Sequence, residues 1–445
     1  MATLPNIVFI MSDQQRPDSL GCYGNCFIDS PNIDRLAESG MVFDNMFSVF
    51  PLCTPARATL WTGLYPHINK ITDCAFGIDD AFAFGDHPKT IFPRLKSLGY
   101  HIGYFGKWHL GSAQPQGVDR WAAFNSGGGH WVDGRQAFQG GRYLPEVQTE
   151  QMIEHLDALQ ADDNPFFLVQ SYYPPHEPYT AEARYMERYR GKGIFRPGYY
   201  AAVNALDDCV GRILDALEHK GLTRDTVVIY TSDHGEHFNY RAKLNKTTGH
   251  DDSIRIPLII SWPGHIEPGL RSDEPAGLQD LVPTLLELAD GTPPEVTHGE
   301  SLVPSLFKQG RIDRTQFYVQ NVEDFRTIDR WYELTRDNQV YLPSSRNYRS
   351  DIEEWDRQRA LWTPEHKLVV SEEGRHLLYD LKSDPEEELN WYGAPKFDYY
   401  NQFQHFPDPV PVCLDLANRL KDEAQRIGDA VGIELVNQFI DGLNP

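Results

Sequence analysis

Short apolar runs alternate with amphipathic stretches through roughly the first three hundred residues, and this rhythm restricts the chain to a mostly parallel sheet covered by helices. The expected strands are Asn6–Met11, Tyr100–Phe105, Phe166–Ser171, Val227–Thr231 and Leu258–Ser261. Helices fall at Ile33–Ser39, Thr54–Thr62, Glu146–Leu159, Tyr200–Lys220 and Leu278–Leu288. The 200–220 run puts Ala202, Leu206, Val210, Ile213, Leu214 and Leu217 on one helical face, with Cys209 buried beside it. After about residue 310 the pattern changes. Residues 322–362 are rich in charge and aromatics, 363–381 reads as strand, turn (Glu372-Glu373-Gly374) and strand, and 412–428 as an amphipathic helix. A chain of 445 residues exceeds the ~250–300 at which one core stops growing. The expectation is therefore an α/β protein in two parts. A large mixed, mostly parallel sheet flanked by helices occupies 1–310, and a smaller α+β subdomain with a small antiparallel sheet and a helix occupies 311–445.

The net charge of −23, from 41 basic and 64 acidic residues, argues against nucleic acid or an anionic membrane surface as partner. No run approaches ~18 consecutive apolar residues, so no membrane span is expected. The apolar stretch 6–11 lacks a preceding basic region and reads as a first strand, not a signal peptide. Cysteines 22, 26, 53, 74, 209 and 413 show neither a zinc spacing nor a dense disulfide framework, which reads as reduced thiols in a cytoplasmic enzyme.

The polar residues at the strand ends carry the chemistry. Asn6–Met11 runs into Ser12-Asp13-Gln14-Gln15, and Val227–Thr231 into Ser232-Asp233-His234-Gly235-Glu236. Tyr100–Phe105 ends in Gly106-Lys107-Trp108-His109, and Phe166–Ser171 leads to Pro174-Pro175-His176-Glu177-Pro178-Tyr179. Ligands of open parallel sheets bind outside the carboxyl ends of the strands. If these strands are parallel neighbours, acids, an amide, imidazoles and a lysine converge there. Each also has a purely structural reading: Asp13 and Asp233 as helix N-caps, Lys107 and His109 as a solvated turn. Together, Asp13, Gln14 and Asp233 offer oxygen ligands for calcium or magnesium, and His234 admits manganese. In Cys53-Thr54-Pro55-Ala56-Arg57, Thr54 suits an N-cap and Pro55 the first helical position. Cys53 then sits at the positive end of a helix, with Arg57 one turn inside, an arrangement that binds anions and favours a thiolate.

These motifs make the chain resemble the formylglycine-dependent type I sulfatases of the alkaline-phosphatase superfamily. The matching runs are Asn6–Gln15, Cys53–Arg57 with Thr62–His67, Gly106–Gly111, Pro174–Tyr179, Ser232–Glu236 and Asp252–Pro257. Leu378–Leu381 with Asp384-Pro385 resembles the family's C-terminal signature. The resemblance covers roughly 5–305 in order and 360–392 more weakly. It implies an alkaline-phosphatase-like fold and oxidation of Cys53 to formylglycine by a formylglycine-generating enzyme. The hydrated aldehyde would attack the sulfur of a sulfate ester, displacing the alcohol, and then expel sulfate. Carried over by position, Asp13, Gln14, Asp233, His234 and residue 53 hold a divalent metal, calcium first, with manganese or magnesium as alternatives. Arg57 holds the nucleophile, and Lys107 and His109 contact the sulfate or the hydroxyls, His109 being the base for elimination. His176 and Lys246 meet the bridging oxygen and the leaving group. Lys243 competes with Lys246 for that place.

The sequence departs from the commonest family pattern at Gln14, where many members carry Asp, and at His234, where others carry Asn. The same pair occurs in phosphonate and phosphodiester hydrolases of the superfamily, which keeps that activity open. Lys107 tilts the reading toward sulfate, since those enzymes resemble one another at this loop without the lysine. Asn245-Lys246-Thr247 is also a glycosylation sequon, and a glycan there would block the site, which speaks against a glycosylating route. Two stretches read as pocket walls for a sulfated sugar: 126–143, with His130, Trp131, Arg135 and Arg142, and 184–200, with Arg184, Arg188, Arg190, Lys192 and Arg196 among tyrosines. The expected partner is an anionic small-molecule or oligosaccharide sulfate ester. A homo-oligomer and a non-catalytic glycan-binding protein stay open.

Overall fold

The computed structural model describes residues 4–74, 90–126, 129–134, 141–159, 164–241, 245–321, 356–392 and 408–443. The strands of the larger part are β1 (Asn6–Asp13), β2 (Gly40–Phe43), β3 (Met46–Phe47), β4 (His101–Lys107), β5 (Arg120–Phe124), β6 (Phe166–Pro175), β7 (Thr226–Ser232), β8 (Arg255–Ile256), β9 (Leu258–Ser261), β10 (Leu270–Ser272) and β11 (Ala276–Gly277). Eight of them form one sheet in the order β10-β2-β9-β7-β1-β6-β4-β5, and β11-β3-β8 form a small one beside it.

Strand β1 shows why the apolar runs are unbroken. Residues Ile7 to Met11 are all fully buried, because helices cover both faces of the sheet and neither face can be polar. Side chains alternate between two cores. Ile7, Phe9 and Met11 pack with Trp61, Phe92 and Phe167, whereas Val8 and Ile10 pack with Ile33, Val203, Leu206 and Val210. The first face is covered by helix α2 (Cys53–Thr62) and the helices Ile91–Ser97 and Leu281–Leu288. The second carries helix α1 (Pro31–Glu38) and the helices Leu144–Leu159 and Pro197–His219. Cys209 is buried there, as its helical position requires. The Asp207 carboxylate of the same helix accepts from the backbone amides of Asn32 and Ile33 and so caps the start of α1.

The four strands with polar ends are parallel neighbours, with β7, β1, β6 and β4 adjacent in that order. β9 is not parallel to them. It pairs antiparallel with β7 and with β2, because the chain leaving β7 stays at the carboxyl edge and returns after only the helical turn Asp251–Ile254.

Beyond residue 310, β12 (Phe317–Asn321), β13 (Gln358–Trp362), β14 (His366–Ser371) and β15 (Leu377–Asp380) make an antiparallel sheet in chain order. The predicted strand, turn and strand are β14 and β15, turning at Gly374 with φ +78°. Most of 322–362 lies outside the described residues. The predicted amphipathic helix spans Val410–Ile427, and a further helix, Ala430–Leu443, follows it. This sheet and its helices share a core with Phe47, Val49, Phe50 and Leu52, the last of which directly precedes Cys53. All six cysteines are free thiols. Among the described residues no helix is long and apolar enough to cross a membrane.

Candidate active site

Parallel pairing in register brings Ser12 opposite Ser232, and Asp13 and Asp233 follow at the same sheet edge. Two buried carboxylates this close need a cation between them. Arg57, on the second turn of α2 and wholly buried, supplies it. Its Nε donates to Asp233 Oδ2 and its Nη2 to Asp13 Oδ2, each at 2.9 Å. Nη1 donates to the Lys107 carbonyl at 2.7 Å and to Ser171 Oγ at 2.9 Å, tying α2 to the ends of β4 and β6. Lys107 Nζ reaches Asp13 Oδ2 at 2.5 Å and lies over the Tyr173 ring. Burial pushes the Asp13 carboxyl up, but the Lys107 and Arg57 charges beside it hold the group below the ordinary carboxylate range.

Cys53 opens α2 and is buried against this pair. Its Sγ lies 3.1 Å from His234 Nε2, 3.4 Å from Lys246 Nζ and 3.7 Å from Asp13 Oδ1. Burial alone would raise the thiol; the Lys107, Lys246 and His234 charges pull it well below its ordinary value. His234 Nδ1 pairs with the Gly235 carbonyl at 2.9 Å, which holds a proton on Nδ1 and turns Nε2 toward Cys53, where it could ligate a cation once its own proton leaves. One ligand atom each from Asp13, Cys53, Asp233 and His234 lie within 4.8 Å of one another, a cradle of the size a divalent ion requires.

Gln14 stands at the rim of this cradle in a left-handed conformation, φ +66°. Its amide orientation is determined by its partners. Nε2 donates to Glu177 Oε2 and to Glu236 Oε2, so Oε1 turns inward, where Lys246 Nζ meets it at 2.5 Å. Lys246 also donates to His176 Nε2 at 3.0 Å, and His176 Nδ1 pairs with the Glu177 carbonyl at 2.9 Å. His109, again left-handed at φ +56°, is buried against Cys53. Burial and the Lys107 ammonium push its imidazole down to about 4, so it is neutral at neutral pH.

The structure thus gathers every residue singled out at the strand ends and in the α2 motif into one pocket. Two details differ from expectation. Thr54 is not the N-cap: Leu52 holds that place, Thr54 is already helical, and its hydroxyl donates to the His109 carbonyl at 2.8 Å. The helix therefore begins one residue earlier, and Cys53 occupies its first position. Lys246 reaches Cys53, Gln14 and His176, while Lys243 and Arg135 lie outside the described residues. Of the arginines expected to line a wall, Arg184 pairs with Glu146 and Glu182, Arg190 with Glu187, and Arg142 with Glu150. Asn245 of the sequon is buried, donating to Glu177, Tyr179 and Glu236, so its amide has no room for a glycan in the folded chain.

Four residues of the site went unassigned from sequence: Glu177, Tyr179, Glu236 and Asn245, which together hold the Gln14 amide. Glu177, Tyr179 and Glu236 lie within the motif runs. Their signal was the presence of acids where a Gln must be oriented.

Known proteins resemble this chain along most of its length. The sulfatase family model matches residues 5–292, and the model of the N-sulphoglucosamine sulphohydrolase C-terminal region matches 235–405. An ulvan-active sulfatase of Formosa agariphila is 29% identical over 431 residues, 89% of this chain and 78% of that protein. The N-acetylgalactosamine-6-sulfatase of Mus musculus is 31% identical over 365 residues, 71% of this chain and 69% of its own. Among solved structures, the Bacteroides fragilis protein yidJ, itself assigned as a sulfatase, superposes with a TM-score of 0.76 at 26% identity, covering 98% of each chain. On a model match across most of its length and relatives of this similarity, the chain belongs to the sulfatase family and is a sulfuric ester hydrolase.

Proposed function

We propose that this sulfatase hydrolyses a sulfate monoester of a carbohydrate, with a formylglycine derived from Cys53 as nucleophile and a divalent cation as cofactor. The observation that carries the reading is the surroundings of residue 53, whose Sγ stands where the nucleophilic oxygen would lie. It is buried between an imidazole nitrogen, an ammonium and a carboxylate at 3.1, 3.4 and 3.7 Å. The donor set fits a cation: two buried carboxylates, the inward amide oxygen of Gln14 and a His234 nitrogen turned toward residue 53. Oxygen predominates, which favours calcium, with manganese and magnesium as the alternatives. When bound, the cation acidifies a hydroxyl on residue 53 and offsets negative charge on the sulfate oxygens.

The chain's own residues supply the rest. Arg57 keeps Asp13 and Asp233 ionised and oriented. Lys107 adds positive charge at the pocket floor. Lys246, held as an ammonium between Gln14 Oε1 and His176 Nε2, is placed to stabilise the alkoxide of the departing sugar. His176 keeps its proton toward the Glu177 carbonyl and fixes the direction of Lys246. His109, neutral and against residue 53, takes the proton whose loss releases sulfate. The relatives named for ulvan and for N-acetylgalactosamine 6-sulfate support a sugar ester over an aryl or choline ester.

The test begins with peptide mass spectra of residue 53 in protein from a host that makes formylglycine, followed by sulfate release from sulfated mono- and oligosaccharides. Modification of Cys53 and abolition of turnover by Cys53→Ala are expected. Full activity with an intact thiol, or better turnover of phosphonate monoesters side by side, would refute the reading.

A further inference from the structure

One end of the 184–200 stretch, read above as a wall, meets the segment that follows β7. Phe195 and Tyr240 come from separate segments, are 50% and 63% exposed, and stack with ring centroids 5.2 Å apart and planes at 29°. Two adjoining exposed rings are costly unless something covers them. They stand on Phe238, which packs edge-on to Phe195 and against Tyr179 and Tyr199. Tyr179 links this platform to the site, since its hydroxyl donates to Glu236 Oε2 at 2.6 Å and accepts from Asn245, the neighbour of Lys246.

Arg196 completes the surface. Its guanidinium lies 5.1 Å from the Phe195 ring centroid and 5.9 Å from that of Tyr179. The backbone there is left-handed, φ +51°, and Gly198 approaches Tyr179 so closely that a Cβ would sit 2.0 Å from its carbonyl oxygen. The Arg196 segment is therefore locked onto the Tyr179 segment. Several arginines nearby are paired with acids: Arg16 with Asp18 and Asp252, Arg184 with Glu146 and Glu182, Arg190 with Glu187, while Arg188 lies over the Tyr185 ring. Among the described residues, no carboxylate pairs with Arg196. In a chain of net charge −23, an exposed arginine without a carboxylate beside bare aromatic faces is set up for an anion with an apolar side.

We propose that Phe195, Tyr240 and Arg196 form a subsite for an anionic sugar ring adjoining the one that bears the scissile sulfate. The ring's C–H face packs against the exposed side of the Phe195–Tyr240 stack, and its carboxylate or sulfate takes the two-pronged guanidinium. This rests on the carbohydrate-sulfate reading above and narrows it to oligosaccharides with charge on successive residues.

The experiment compares sulfate release from chondroitin 6-sulfate and ulvan oligosaccharides with release from monosaccharide sulfates and 4-nitrophenyl sulfate, using the matured full chain. In the parent, kcat/KM for a preferred oligosaccharide should exceed that for its monosaccharide sulfate by at least about tenfold. Arg196→Ala, and separately the double variant Phe195→Ala with Tyr240→Ala, should bring that ratio near one, mainly through KM. Arg196→Lys should recover only part, because it lacks the planar fork. A parent without oligosaccharide preference, or a preference that survives both variants, overturns the subsite and leaves carbohydrate sulfate hydrolysis standing. A parent that cleaves 4-nitrophenyl sulfate and no carbohydrate sulfate overturns both. Self-association lost in the double variant, with the substrate ratio unmoved, identifies the patch as a contact between copies and overturns the subsite as well.

Discussion

Replacing Arg57 by alanine removes the guanidinium that bonds both buried acids and leaves the His234 ring 4.0 Å from Asp13 and 3.7 Å from Asp233. Asp13 would keep Lys107 on the same oxygen, whereas Asp233 would keep the amides of Gln14 and His234 and the more distant His234 ring on its other oxygen. The loss therefore concentrates on Asp233, a wholly buried carboxylate left without its guanidinium partner. Breaking a buried pair from one side costs about 3–5 kcal/mol. Arg57→Lys keeps the charge but cannot span both acids, and losing one charge-assisted bond costs about 1.5–3 kcal/mol. Urea denaturation in chelator, with matched slopes, should show these two gaps in that order.

Two further measurements separate this loss from a general loss of packing. Added calcium should narrow the Arg57→Ala gap, because an ion bound to the folded state supplies the missing positive charge to the same acids. Acid should narrow it too. Burial and Asp13 already hold the Asp233 carboxyl above its ordinary value, and losing Arg57 raises it further. A folded-state value above the unfolded one favours the fold at low pH and penalises it as pH rises through that value. The variant should thus approach the parent as pH falls. A gap below about 1 kcal/mol in chelator, or one insensitive to both calcium and pH, would mean that the acids are not ionised there, and the metal-cradle reading would fail.

Lys246→Met should lower kcat for sugar sulfates by about 10²–10⁴ and for 4-nitrophenyl sulfate far less, since a good leaving group needs no ammonium; equal losses would remove Lys246 from that role. Glu236→Gln should weaken metal binding by about 10–100-fold in equilibrium dialysis, because the Gln14 amide could then flip, and an unchanged affinity would show that its orientation does not matter. Gly106→Ala puts a Cβ 1.9 Å from the Ser171 carbonyl at φ +100°, and should cost more than about 3 kcal/mol and displace Lys107; an unshifted denaturation midpoint would contradict the β4–β6 contact. Burial pushes the Asp207 carboxyl up to about 6 despite the amides it caps, so the parent loses stability as pH rises through that value. Asp207→Asn should gain on the parent by about 1.4 kcal/mol between pH 5 and 7.5, and parallel pH profiles would refute the shift.

The site was legible where sheet geometry and polarity coincide. An apolar run that ends in Ser-Asp identifies both a buried strand and a carboxylate at its carboxyl edge, so Asp13 and Asp233 could be read directly, and Lys107 and His176 by the same logic. The strands β12 and β13 and the helix Ala430–Leu443 escaped because their apolar faces belong to a core shared with distant residues such as Phe47 and Leu52. The direction of β9 escaped because a four-residue apolar run carries no record of which way its connection travels. Thr54 was misplaced because capping preference is local, whereas its hydroxyl is claimed by the His109 carbonyl across the pocket. Glu236 and Glu177 were missed for a different reason. Their work is done one bond behind the pocket, on the orientation of Gln14, and nothing in a linear pattern separates that from an acid on a loop.

The acids behind Gln14 also bear on how an acidic protein accommodates an anion. A second aspartate at position 14 would add a charge to a pocket that already holds Asp13 and Asp233. Glutamine supplies its oxygen without that charge, and Glu177 and Glu236 receive its amide hydrogens outside the cradle. Inside it, Arg57 and Lys107 are occupied by the aspartates, so the positive charge still open to a substrate is Lys246 and whatever the cradle binds. On this arrangement the field of the whole chain is offset only within a few ångströms of residue 53. Attraction of a polyanionic sugar from farther out then needs a second uncompensated cation near the mouth, and Arg196 is in the position to provide it.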